Sequence, residues 1–199
     1  MKRLLLLALL VLSILSCTEK DFEVYSLSLS MEREISLSED ERTEVNRLFI
    51  NASLSDPDMV YSFRLTSPDG DLVWEGGFDG DGEEKVSQPC EITEDAIFPE
   101  GTYSILLYSD GGTEHESNAE LRYETDLRYF ASDGSLTAPC SVREIDGSGN
   151  ELASSAMEEG AIRNADSVTA YIEYEDQYGN TVNIIQSFPP SDADPSLSV

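Results

Sequence analysis

The chain has 199 residues, 40% of them hydrophobic, and sets 12 lysines and arginines against 40 aspartates and glutamates, for a formal net charge of −28. That charge excludes nucleic acid, whose phosphates need a basic footprint, and excludes an electrostatic hold on anionic lipid. With 9 tyrosines and 7 phenylalanines there is material for a core, and the length suits one large β domain or two small ones. The acids are spread along the chain rather than gathered in runs, which favours a solvated surface over a dedicated site for cations or basic partners.

At the N-terminus, Lys2 and Arg3 precede an apolar stretch from Leu4 to Leu15, interrupted by Ser13 and followed by Ser16 and Cys17. Twelve residues as a helix cover roughly 18 Å, short of the roughly 30 Å of a hydrocarbon core, so the segment fits a removable signal better than a membrane span. Ile14-Leu15-Ser16-Cys17 resembles the lipobox of bacterial lipoproteins. The resemblance implies that residues 1–16 are removed as a signal peptide and that Cys17 carries a thioether-linked diacylglycerol. Its new amino group would take a further acyl chain of the palmitate type, with residues 17–22 as a lipidated tether. Each buried methylene adds about 0.8 kcal/mol of anchoring. Thr18 stands where an inner-membrane retention signal would place Asp, which leans towards the outer membrane, on its periplasmic or its surface face. The mature chain would keep 10 of the 12 basic residues and all 40 acidic ones, so its membrane contact runs through the lipid.

Beyond the tether the dominant pattern is a period of two. Tyr25, Leu27, Leu29 and Met31 alternate with serines, and Ile35 and Leu37 keep the parity, which predicts a strand with one buried face. Further strands are expected at Leu48–Leu54, Met59–Thr66, Leu72–Phe78, Val86–Ile92, Tyr103–Tyr108 and Ala119–Glu124. Asp- and Gly-rich turns at 55–58, 67–70, 79–82 and 110–112 separate them. Ser38 followed by Glu39, Asp40 and Glu41 has the form of a helix N-cap with an acidic first turn, so a helical turn before Val45 competes with the alternation.

Seven short strands in about 100 residues are the signature of an immunoglobulin-like antiparallel sandwich. Ile97-Phe98-Pro99-Glu100-Gly101-Thr102-Tyr103 resembles the corner before the sixth strand of bacterial immunoglobulin-like and fibronectin-III-like domains. The resemblance covers residues 23–124 and implies that the Tyr103 hydroxyl bonds back to nearby backbone. Such a fold does not by itself fix a function. Residues 125–188 are expected to form a smaller C-terminal β region, either a truncated second β domain or an extension of the first sheet. Its expected strands are Ser141–Ile145, Glu151–Ala153, Val168–Glu175 and Thr181–Ser187, with a short helix over Ser154–Asn164. Residues 189–199 read as a disordered tail.

Cys90 and Cys140 are the cysteines left besides Cys17, and an even pair in an exported protein predicts a disulfide. It would close a loop of about 50 residues for roughly 4 kcal/mol. Both follow a proline in related surroundings (Val86–Ile92 and Leu136–Val142), a hint of duplication. Asp79, Asp81 and Glu83 on a Gly-rich loop make the best calcium candidate. Their spacing fails as an EF-hand, and a solvated hairpin tip is the favoured reading. His115 is the sole histidine, and no nucleophile elbow, phosphate loop or dinucleotide fingerprint is present. A non-catalytic binding or structural module is therefore expected. The alternative is a surface module that binds calcium or carbohydrate. Tyr123, Tyr129 and Phe130, or Tyr171, Tyr174 and Tyr178, are the aromatics that could meet a sugar or peptide, although strand aromatics are usually core.

Overall fold

The computed structural model describes residues 22–56, 59, 61–80, 82–93 and 96–189. Cys17, the rest of the leader and tether through Asp21, and residues 190–199 of the expected tail lie outside the described residues. Every regular element described is a strand, in the order β1 Val24–Leu37, β2 Arg42–Leu54, β3 Tyr61–Thr66, β4 Val73–Asp79, β5 Glu84–Ser87 and β6 Cys90–Thr93. Then follow β7 Gly101–Ser109, β8 Glu114–Leu121, β9 Cys140–Asp146, β10 Glu151–Met157, β11 Ser167–Glu175 and β12 Thr181–Ser187.

The strands form one sheet with the order β10-β9-β11-β12-β1-β2-β5-β4-β3-β7-β8, and β6 pairs with β2 beside β5. Two junctions make it continuous, one within the expected sandwich, where two sheets were expected, and one to the C-terminal region, for which a second domain and a sheet extension were both open. Phe78 and Asp79 at the end of β4 pair with Ser87 and Val86 of β5. At the other junction β12 lies parallel to the second half of β1, from Glu32↔Thr181 to Leu37↔Gln186. The C-terminal region thus extends the first sheet and also has a core of its own.

Both expected helical stretches are strand or turn instead. Ser38 Oγ does accept the Glu41 N–H (3.1 Å), as an N-cap would, but the Ser38 N–H donates to the Glu41 carbonyl (2.9 Å) and closes a two-residue hairpin loop. The alternation on both sides decides the outcome, because β1 and β2 pair along their whole length. Residues 154–157 belong to β10, which pairs with β9 across the Asp146–Asn150 turn. The strand expected at Val86–Ile92 is broken at Gln88-Pro89, where proline has no N–H for the ladder.

Strand parity builds two apolar cores. Leu29 and Met31 of β1, Leu48 to Leu54 of β2, and Phe63, Leu65, Tyr103, Ile105, Leu107 and Leu121 of β3, β7 and β8 share the first. There β8 lies against β1, so the sheet curls over this core. The second core gathers Ile35 of β1, Val142 of β9, Ala170, Ile172 and Tyr174 of β11, and Val182 and Ile184 of β12. Phe130 and Leu136 cover it from the loop before β9. The strand β1 therefore serves both cores.

The corner before β7 has the expected hydrogen bond: the Tyr103 hydroxyl donates to the Pro99 carbonyl at 2.9 Å. The Tyr123 hydroxyl donates to the neighbouring Phe98 carbonyl at 3.1 Å, so two phenols hold one corner. Gly101 sits at φ +134, and a Cβ there would lie 3.0 Å from Pro68 Cγ; backbone conformation and crowding both call for glycine.

Between the cores runs a polar seam. Arg33, Glu44 and Asn46 occupy inward positions on β1 and β2: Arg33 and Asn46 pair next to the Met31–Leu48 rung, and Glu44 stands opposite Ile35. Arg33 donates through Nε and Nη2 to Glu44 Oε1 (2.9 and 2.7 Å) and through Nη1 to the Glu124 carbonyl (2.8 Å), and Arg42 donates to Glu44 Oε2 (2.7 Å). Burial alone would push the Glu44 carboxyl up, but the hydrogen bonds and charges of Arg33 and Arg42 outweigh it and hold it below its usual value. Asn180 in the β11–β12 turn accepts the Met31 N–H (2.9 Å) and donates to the Arg122 carbonyl (2.7 Å). The seam thereby ties the segment after β8 to both halves.

Candidate functional site

The C-terminal half buries one sheet face and leaves the other uncovered by any described element. Inward residues of β9, β11 and β12 fill the second core, so the residues between them point outward. Register lines these up in two rungs across five strands. One rung runs Ser154, Arg143, Tyr171, Ile185 and Ser36; the other runs Ala156, Ser141, Glu173, Asn183 and Glu34. All of them but Ser36 and Ala156 line a shallow cleft of about 450 Å³. Its most distinctive element is the Arg143 guanidinium, 4.3 Å over the Tyr171 ring, a planar cationic and aromatic surface that stays partly wet. Among the described residues Arg143 forms no ion pair, whereas Arg47 on the neighbouring stretch meets Glu34 (3.1 Å) and Glu91 (2.9 Å).

A second cleft, of about 760 Å³, opens where the segment after β8 meets the β11–β12 turn, lined by Tyr123, Asp126, Arg128, Pro139, Gln177 and Tyr178. Its walls are held by side-chain acceptors. Glu124 and Asn180 N–H groups donate to the Asp176 carboxylate (3.0 and 2.9 Å), and the Asn180 side chain donates to it as well. Burial would raise the Asp176 carboxyl, but these hydrogen bonds leave it below its usual value. Tyr178 is 46% exposed in this cleft.

The other expected site residues fall as follows. Asp79 and Glu83 are exposed at the β4–β5 turn, and Asp81 lies outside the described residues. In that turn the buried Lys85 ammonium donates to the Gly80 carbonyl (2.9 Å). Among the described residues no group of three or more His, Cys, Asp or Glu could hold a metal. Phe130 and Tyr174 belong to the second core, while Tyr129, Tyr171 and Tyr178 are exposed. His115 is half-buried on β8, its ring 6.1 Å from that of Phe22.

The expected Cys90–Cys140 disulfide is absent, and both are free thiols. Cys90 starts β6 and packs on the first core, Cys140 starts β9 in the second. Four strands lie between them in the sheet, a separation on the order of 20 Å, whereas a disulfide needs Cα atoms within about 7 Å. Burial raises both thiols, Cys90 to about 11, which keeps them protonated at neutral pH. The two Pro-Cys pairs do play the same local part, a proline just ahead of a strand, although the two halves differ in topology.

The seam was not anticipated from the sequence, although a signal for it exists. Arg33 stands between Met31 and Ile35 on the apolar parity of β1, and Glu44 and Asn46 precede Leu48 on that of β2. A charge at an inward strand position is a site that needs a partner.

No protein-family model matches the chain, and no curated protein matches it in sequence.

Proposed function

We propose that this chain is a lipid-anchored protein of the cell envelope whose β body is a non-catalytic binding module. The observation that carries the binding part is the uncovered face of the C-terminal half, with the Arg143–Tyr171 pair in a cleft. A structural sheet face in water needs no such stacked pair, whereas recognition surfaces favour aromatic and arginine anchors. The lipobox supports the anchor, with Cys17 as the lipidated residue and the outer membrane as its place. The first eight strands read as an immunoglobulin-like sandwich, supported by the two runs β1-β2-β5 and β4-β3-β7-β8 around one core and by the Tyr103 corner. Side-chain NOEs between Leu29 or Met31 and Ala119 or Leu121 test that sandwich.

Two experiments test the function. Metabolic labelling with an alkyne fatty acid should mark the wild-type chain and not Cys17→Ser, which should leave the membrane fraction or stay unprocessed; equal labelling of both sinks the anchor. A photo-crosslinking residue in place of Tyr171 should give one discrete adduct in cells, and the same residue at Asp110, on the β7–β8 turn, none. Identical background at both positions removes the binding reading. A second reading, carbohydrate binding, is favoured at the other cleft by the exposed Tyr178 ring beside Gln177 and Asp126, and a glycan array read with Tyr178→Ala tests it.

A further inference from the structure

We propose that the outer side of β10 is a strand-addition site for an extended, basic segment of a partner protein. The proposal rests on the reading of the chain as a binding module and adds the place and the partner's chemistry. The sheet ends in two strands, β8 and β10. The first is protected in the ways sheet edges commonly are: it carries Glu114, Glu116 and Glu120 and lies against β1. The second has neither safeguard along its centre. From Leu152 to Met157 it holds no charge and no proline, Ser154, Ser155 and Ala156 are exposed, and no described strand pairs with its outer side. In a chain with 26% charged residues, that is the composition of an edge kept available for pairing.

The flanks choose the occupant. Glu151 precedes this stretch, and Glu158 and Glu159 follow it, all exposed. A second copy pairing antiparallel about Ser154 and Ser155 would set Glu151 of one chain opposite Glu158 of the other, at both ends, and bring together two bodies that each carry 10 basic residues against 40 acidic ones. A strand with lysine or arginine at its ends meets the acids instead. Alternate side chains of such a strand would fall on the open face next to Ser154 and Arg143, extending the cleft rung by one strand.

The probe is a fluorescent peptide, Lys-Lys-(Val-Thr)3-Lys-Lys, compared with its Glu-flanked counterpart and with a Gly/Ser peptide bearing the same four lysines, all titrated against the full chain. The expected result is that the first binds about tenfold more tightly than either control, a difference of about 1.4 kcal/mol, and slows hydrogen exchange of the 152–157 amides. Ser155→Lys, on an exposed side chain, should weaken it about tenfold at unchanged melting temperature by placing a charge on the edge. Replacing Glu151, Glu158 and Glu159 with lysine should reverse the preference towards the Glu-flanked peptide. Equal binding of the Gly/Ser peptide, protection elsewhere than 152–157, indifference to Ser155→Lys, or homodimerisation through β10 would each overturn the proposal. A chain that still crosslinks at position 171 but shows no protection on β10 loses this edge and keeps its binding function.

Discussion

The two halves of the sheet use the same alternation to different ends. In the first, β1, β2, β3, β7 and β8 all turn their apolar faces to one core, and the curl of the sheet encloses it. In the second, one face of β9, β11 and β12 meets a cover made of loop, through Phe130 and Leu136, and the opposite face carries Arg143, Tyr171 and Glu173 into water. The proposed binding falls on that difference: an antiparallel sheet with one wetted face is stable, and that face is free to carry chemistry.

The largest effect that separates the halves is expected from Phe63→Ala. Phe63 is 1% exposed, makes an edge contact with Trp74 at 4.6 Å, and its loss should destabilise by about 3–5 kcal/mol. Trp74 is the sole tryptophan and reports on the first core alone, whereas far-UV circular dichroism reports on all strands. If the halves are one cooperative unit, both signals fall at the same urea concentration in wild type and in Phe63→Ala.

Arg33→Met sharpens this. Removing the guanidinium leaves Glu44 with Arg42 as its only ion-pair partner among the described residues and should cost about 3 kcal/mol. It should also pull the two transitions apart, because Arg33 links β1, β2 and the Glu124 carbonyl. Transitions that stay coincident would show that the halves are coupled without the seam. Acid probes the same network more gently. Glu44 and Asp176 both titrate below their unfolded values of 4.5 and 3.8, so their contribution is full above those values and lost as pH falls through and below them. The melting temperature should drop between about pH 5 and 3, less steeply in Glu44→Gln. Smallest is Tyr103→Phe, which deletes one hydrogen bond at the Pro99 corner for about 1 kcal/mol and should move the Trp74 transition.

The strands were legible wherever one face is buried, since parity alone announces them: the β1 and β2 patterns, the hairpin from Ser167 to Ser187 and the corner at Tyr103 all appear in the sequence. Ser38 and Glu41 form the local contact that a helix start would show, yet a hairpin results, because pairing between β1 and β2 satisfies far more backbone than one turn could. The pairing of β12 with β1 was not legible, since nothing local in Thr181–Ser187 specifies a parallel partner about 150 residues away. The Cys90–Cys140 expectation failed for a related reason: counting cysteines ignores which core each one enters. The open face was half legible. Tyr171 alternates correctly, but its register with Arg143 depends on strand order, which periodicity does not encode.

The double service of β1 bears on the order of events during synthesis. It is the first of the described strands, and Glu32–Leu37 pair with Thr181–Gln186 of β12, the last of them. Pairing with β2 can form early along the whole strand, but the second edge of its Glu32–Leu37 half, and the burial of Ile35, must wait for β12. The pairing of β1 with β12 is therefore a closing step with a long loop to traverse, and it predicts slow folding for so small a protein. The seam at Arg33 stands on β1 at this boundary, one residue into the stretch whose second neighbour is β12.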